Sequence, residues 1–191
     1  LKLSRGLGDV YKRQELKSSF EGILKPDVIL DVSSPNFFDE IVNFSKSNEV
    51  PLIVASTGHD DEQISVLKKL SESIPIMIAP NLSMGINYIK NFFNSFPLTS
   101  LTNDIEIHET HHKNKIDSPS GTALDLKDLF ESKKEKLKVS IKSYRDDDSV
   151  GTHKIILNMH DETIEITHLA NSRKIFAIGA ITAIKLSLIH I

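Results

Sequence analysis

The 191-residue chain has no cysteine. That absence excludes disulfides, a thiolate nucleophile, iron–sulfur ligation and cysteine-based zinc sites together, so a metal would have to rest on histidine and carboxylate alone. The same absence fits a cytoplasmic address. Net basic charge is also missing: 23 Lys and Arg stand against 26 Asp and Glu, a formal charge of -3. No global positive field exists to hold a polyanion, and nucleic acid is not an expected partner. Long apolar runs are lacking too, since residues 75–79 and 175–183 are too short or too interrupted for a bilayer span of about 20 residues. A soluble protein without membrane contact is expected. What the chain does contain, 39% hydrophobic and 26% charged residues, is incompatible with wholesale disorder and sufficient for one domain or two small ones.

The two ends are set aside from the fold reading. Residues 6–14, GLGDVYKRQ, and the last six, LSLIHI, resemble translated adapter sequence, so residues 1–14 and 186–191 are expected to be non-native and the natural polypeptide longer at both ends.

From Pro26 onward an apolar run, a small or polar turn and a stretch of helical period alternate. Residues 27–32, 51–55 and 74–79 read as strands. Their exits are Ser33-Ser34-Pro35, Ser56-Thr57-Gly58 and the stretch 80–85, PNLSMG. Short continuous apolar strands between amphipathic helices predict a parallel, doubly wound sheet, and such sheets bind ligands beyond the carboxyl ends of their strands. Ordinary turn chemistry accounts for the same residues.

After Pro97 the pattern changes. Residues 104–109 alternate as a strand, a helix follows from Thr122, and the remainder reads as antiparallel strands, with residues 154–158 and 163–168 forming a hairpin. The lysine-rich run 133–138 reads as a solvated helix end or loop. The expected fold class is therefore α/β, a partial Rossmann-type sheet followed by an α+β domain with a mostly antiparallel or mixed sheet. Its divisions are 15–81, 82–172, and a C-terminal helix, 173–186, with Ile175, Ile178, Ile181 and Ile184 at helical spacing, returning to the first domain.

Polar function is densest at residues 106–122, EIHETHHKNKIDSPSGT. On a strand Glu106, His108 and Thr110 project to one face and Ile107, Glu109 and His111 to the other. His111 and His112 then lie where strand gives way to loop, and imidazole exchanges protons near neutral pH. Beyond them, the stretch 117–124 reads as a loop entering a helix capped by Ser120 or Thr122. Free backbone N–H groups there attract a carboxylate or phosphate, and Gly121 permits close approach. Lys113 and Lys115 add positive charge, which Asp117 is placed to balance. The physical reading is an anion site with a proton donor in reach. A plain helix cap with solvated neighbours is the competing account, and zinc on His108, His111 and His112 a third, weakened because His108 faces away from His111. No metal is assigned. His153, His160 and His168 read as surface or stacking residues, although His168 with Asn171, Ser172 and Arg173 has a place beside a cleft.

The string His111-His112-x-x-Lys115-x-Asp117-x-Pro119-Ser120-Gly121-Thr122-Ala123-Leu124 closely resembles the signature of the 4-hydroxy-tetrahydrodipicolinate reductase (dihydrodipicolinate reductase) family of lysine and diaminopimelate biosynthesis. Residues 31–35, 55–58, 79–87 and the stretch 166–180 extend the likeness over about 26–184 in the family's order. The resemblance implies hydride transfer from NADPH or NADH to a cyclic dicarboxylate, with a homotetramer as the assembly. It implies His111 as the acid–base residue, Lys115 as proton donor, His112, Gly121 and Thr122 as substrate contacts, and Ala55, Ser56, Thr57, Ala79, Pro80, Asn81 and Leu82 as cofactor contacts. The family's Gly-rich pyrophosphate turn has no counterpart here, since Gly6-Leu7-Gly8 falls in the segment set aside. The chain as written is therefore expected to be weakly stable and to hold cofactor weakly. The alternative from a different class is a truncated, non-catalytic dicarboxylate-binding module.

Overall fold

A computed structural model describes residues 18–95, 104–133 and 137–189. The expected non-native stretches fall partly outside it, residues 1–17 and 190–191 not being described, as does half of the lysine-rich run, 134–136.

The first sheet has three parallel strands in the order β1 (Ile29–Asp31), β2 (Leu52–Val54) and β3 (Ile76–Ile78). Helices α1 (Phe38–Asn48) and α2 (Asp61–Leu70) make the crossovers. Phe38, Ile41 and Val42 of α1 meet Leu67 and Leu70 of α2 over Leu52 and Val54, forming the core on one face of this sheet. A capping box starts α2, in which Asp60 accepts from the Gln63 amide and the Gln63 side chain accepts from the Asp60 amide. From β3 the chain passes through residues 79–83 into α3 (Met84–Ser95).

The second sheet has the order β5-β4-β6-β7, from β4 (Asp104–His111), β5 (Lys138–Arg145), β6 (Thr152–Asn158) and β7 (Thr163–Leu169). The hairpin of β6 and β7 is as expected, but β5 lies parallel to β4. Between those two strands stands α4 (Gly121–Glu131), a helical crossover, and a crossover returns the chain in the same direction. Phe93 of α3 and Leu126 and Phe130 of α4 cover Ile105, Ile107, Ile155 and Leu157 in a second core.

The last helix, α5 (Lys174–Ile189), runs back to β2. Its buried positions are Gly179, Ala183 and Ser187, not the isoleucine series, of which Ile178 and Ile181 are exposed. Small residues at i, i+4 and i+8 let the helix backbone approach the turn at Leu82, a contact that larger side chains would hold off.

Candidate active site

The site is built by strand register. Residues 109 and 111 share the face of β4 that also carries Ile105 and Ile107, so a carboxylate and an imidazole stand side by side at the end of a core stripe. Across the sheet Ser143, Glu109, His153 and His168 are paired in one continuous row over β5, β4, β6 and β7. Arg145 is the partner of His111 on β5.

Glu109 is fully buried and held from every side. His111 Nδ1 is hydrogen-bonded to Oε2, while Oε1 accepts from Arg145 Nη1 at 3.1 Å and from the Ser120 amide at 3.3 Å. Burial pushes this carboxyl up, but the hydrogen bonds from Ser143, His111 and Arg145 outweigh it and keep the acid below its ordinary range, hence ionised. His111 is shifted downward by burial, with Lys115 and Arg145 adding to the shift and the Glu109 charge opposing it. At neutral pH it is a neutral imidazole.

The loop after β4 folds back on the same place. Lys115 Nζ lies 2.7 Å from Asp117 Oδ1, which makes Asp117 the counter-charge the sequence suggested. That pairing lowers the Asp117 pKa against the upward push of its partial burial. His112 Nε2 accepts from Arg173 Nη2 at 3.0 Å. Ser120, rather than Thr122, caps α4, accepting from the Ala123 amide at 3.2 Å and meeting His153 Nε2 at 3.2 Å. Thr122 Oγ1 accepts from Asn81 Nδ2 at 2.8 Å, which ties the exit of β3 to the start of α4. A Cβ added at Gly121 would meet nothing within 4 Å, so this helix entrance opens onto free space.

These groups share one cleft of about 610 Å³. His111, His112, Lys115, Gly121 and Thr122 line it together with Ser56, Thr57, Pro80 and Asn81, the exits of the parallel strands. Of the sequence-derived residues Ala55, Ala79 and Leu82 do not line it. The Ala55 and Ala79 amides are spent on sheet bonds to Asp31 and Val54, while Ala79 and Leu82 border a separate hollow of about 340 Å³ against α3 and α5. At the β2 exit the Ser56 hydroxyl donates to buried Asp31, which also accepts from the Ser33 amide at 2.9 Å, and His59 Nε2 lies 2.8 Å from Ser56 Oγ. Gly58 follows with φ +89°, a conformation that glycine adopts without strain.

His108 points to the other face, pairing with Glu106 at 2.9 Å, and no group of three metal-ligating side chains occurs among the described residues. His153, read as a surface or stacking residue, belongs to the cleft instead, and His168 takes the place beside the cleft that was one of its readings. His153 is buried with its ring 5.1 Å from that of His111, and His168 stands 6.1 Å further along the row. His160 is exposed, as expected. The missed signal was parity: His153 is in phase with Ile155 and Leu157, the core side of β6.

Burial, with the neighbouring His111 and His168, pushes His153 down to about 4 from 6.5. Between those values the unfolded chain binds the extra proton and the folded one refuses it, so stability is full above pH 6.5 and is lost as pH falls toward 4. Thermal melts at pH 7.5 and pH 5 are expected to record a lower Tm in acid, and His153→Gln to shrink the difference. An undiminished difference in that variant would assign the acid loss to other groups.

A family model described as "Dihydrodipicolinate reductase, N-terminus" matches residues 4–82, and one described as "Dihydrodipicolinate reductase, C-terminus" matches residues 85–190. The 4-hydroxy-tetrahydrodipicolinate reductase of Clostridium novyi (strain NT) is 36% identical over 197 residues, an alignment covering 92% of this chain and 78% of that protein. The enzyme of the same name from Brachyspira hyodysenteriae (strain ATCC 49526 / WA1) is 33% identical over 177 residues, with 84% and 77% covered. Among solved structures, the dipicolinate-bound dihydrodipicolinate reductase of Paenisporosarcina sp. TG-14 matches in fold with a TM-score of 0.72 at 24% identity, over 86% of this chain and 69% of that one.

Proposed function

This chain belongs to the dihydrodipicolinate reductase family, and from that premise we propose that it reduces 4-hydroxy-tetrahydrodipicolinate to tetrahydrodipicolinate, in lysine and diaminopimelate biosynthesis, with NADPH or NADH. The observation that carries the reading is the meeting of His111, Lys115 and the open entrance of α4 in one cleft with the strand exits of the parallel sheet.

The strand exits fit a nicotinamide. Ser56 is fixed by Asp31 and His59, Gly58 keeps the turn free of a side chain, and Asn81 is fixed by Thr122, so these residues would hold a nicotinamide with preformed polar groups in the cleft that His111 also lines. When bound there, the cofactor supplies the hydride. The protein's own task is to hold a dicarboxylate and deliver a proton. The amides of Gly121 and Thr122, at the positive end of α4, receive one carboxylate. The pair of His112 and Arg173 offers cationic hydrogen bonding to the other. Loss of the 4-hydroxyl as water turns the substrate into a conjugated, unsaturated C–N ring; hydride addition to that ring leaves a carbanion-like centre, which the Lys115 ammonium protonates while neutral His111 accepts and returns protons beside it. Asp117 holds the Lys115 side chain in place until that moment.

The test is a coupled one. Oxidation of NADPH or NADH in the presence of freshly generated 4-hydroxy-tetrahydrodipicolinate is followed by the loss of nucleotide absorbance, and dipicolinate binding by calorimetry. Turnover inhibited by dipicolinate supports the reductase. Dipicolinate binding with no nucleotide consumed supports the binding module.

A further inference from the structure

We propose that Glu109 is a positioning residue that fixes the proton of His111 on Nδ1 and so presents Nε2 to the cleft as a hydrogen-bond and proton acceptor. The inference deepens the reductase reading and rests on it for its kinetic consequence, but its structural content stands alone.

The argument starts from donor and acceptor supply. Glu109 has four claimants: the Ser120 amide and the Arg145 guanidinium can only donate, the Ser143 hydroxyl joins them, and His111 Nδ1 completes the set. The guanidinium and amide on Oε1 and the further hydrogen bonds hold the group as a carboxylate, which has no hydrogen to give from Oε2. The imidazole nitrogen facing it must therefore carry hydrogen, which leaves Nε2 with a free lone pair.

Geometry then limits the ring's freedom. Gly151 sits against the far edge of the imidazole, where an added Cβ would lie 3.1 Å from Nε2 and 3.2 Å from Cδ2. The His153 ring closes a further side edge-on, at 74°. Glycine at 151 keeps a side chain off that edge of the ring, and the carboxylate at 109 holds the opposite nitrogen.

Charge makes the arrangement testable by pH. The groups facing His111 are Glu109 on its own strand, Lys115 on the loop that follows, Arg145 on β5 and His153 on β6. Glu109 alone among them favours the protonated imidazole, Lys115 and Arg145 opposing it. Removing its charge therefore moves the titration of His111 to lower pH, a change that a purely space-filling residue would not produce.

Two measurements decide the matter. A long-range 15N–1H correlation spectrum of the whole labelled chain, with His111 assigned by its absence in His111→Gln, is expected to record the Nδ1-protonated neutral form near pH 7.5. An Nε2-protonated ring overturns the proposal. Kinetically, Glu109→Gln is expected to lower kcat about 100-fold, as loss of an orienting carboxylate does elsewhere, with KM held within about threefold and the acid limb of kcat/KM displaced to lower pH. Unchanged kcat with an unmoved limb overturns it as well. If Glu109→Gln does not fold, the wild-type spectrum decides alone. A wild type with no turnover at all defeats the reductase reading instead, while the tautomer is still read from the spectrum.

Discussion

Combined replacement of His111 by Gln and Lys115 by Ala removes turnover, with kcat expected to fall by about 10⁴-fold. Proton transfer by a positioned side chain is worth about 10² to 10⁴ for one group, and two groups acting on the same proton are not additive, so the pair gives no more than the upper end of that range. Gln at 111 keeps a hydrogen-bonding side chain of similar reach toward Glu109 and has no titration, which separates loss of chemistry from loss of packing. Ala at 115 releases Asp117, whose lowered pKa depends on Lys115. Asp117 is exposed enough to be solvated without it. Dipicolinate affinity is expected to weaken less than tenfold, because Gly121, Thr122, His112 and Arg173 remain. Stopped-flow nucleotide oxidation and calorimetry on the same preparation separate the two effects. A double variant that still turns over would remove both residues from the mechanism, and a binding module would have no turnover to lose.

The pattern behind this site was legible to a specific depth. Alternation along residues 104–109 placed Glu109 and His111 on one face, and the β4 burial pattern agrees. The Ser-Gly-Thr string placed the helix entrance with Ser120 or Thr122 as its cap, and the structure selects Ser120. Strand pairing was not legible, because the row joining Ser143, Glu109, His153 and His168 depends on which residues face each other across strands, up to 44 positions apart in sequence. A single sequence carries each strand's period but not its register against another strand. Thus Glu109 was seen on the right face without a partner, and Arg145, His153 and the parallel direction of β5 were not foreseen. His153 alone had a local signal, its phase with Ile155 and Leu157, which the general tendency of histidine to lie near the surface obscured. The isoleucine spacing of α5 misled for a different reason. Periodicity of large apolar residues marks the core side only where the partner surface is deep, and the helix here meets a backbone turn that admits only small ones.

That contact carries the largest expected effect on stability. A Cβ at position 179 would collide with the Leu82 carbonyl oxygen, a backbone atom, so Gly179→Val cannot be absorbed by rotating a side chain and must move the turn or the helix. Overpacking of this kind costs about 3 kcal/mol, and in a chain of this size each kcal/mol lowers Tm by about 3 °C, so a loss of roughly 10 °C is expected. The cost reaches the site because Leu82 lies between Asn81, which holds Thr122, and Ser83, whose hydroxyl lies 3.2 Å from His168 Nε2. Shifting Leu82 pulls on both walls of the cleft, and KM for the nucleotide is expected to rise along with the fall in Tm. Ile181→Ser on the exposed face of the same helix is the comparison, with an expected change under about 0.5 kcal/mol. Chemical denaturation of the two variants side by side orders them. Equal losses would mean that α5 is held by its isoleucine face rather than by the small residues at 179, 183 and 187.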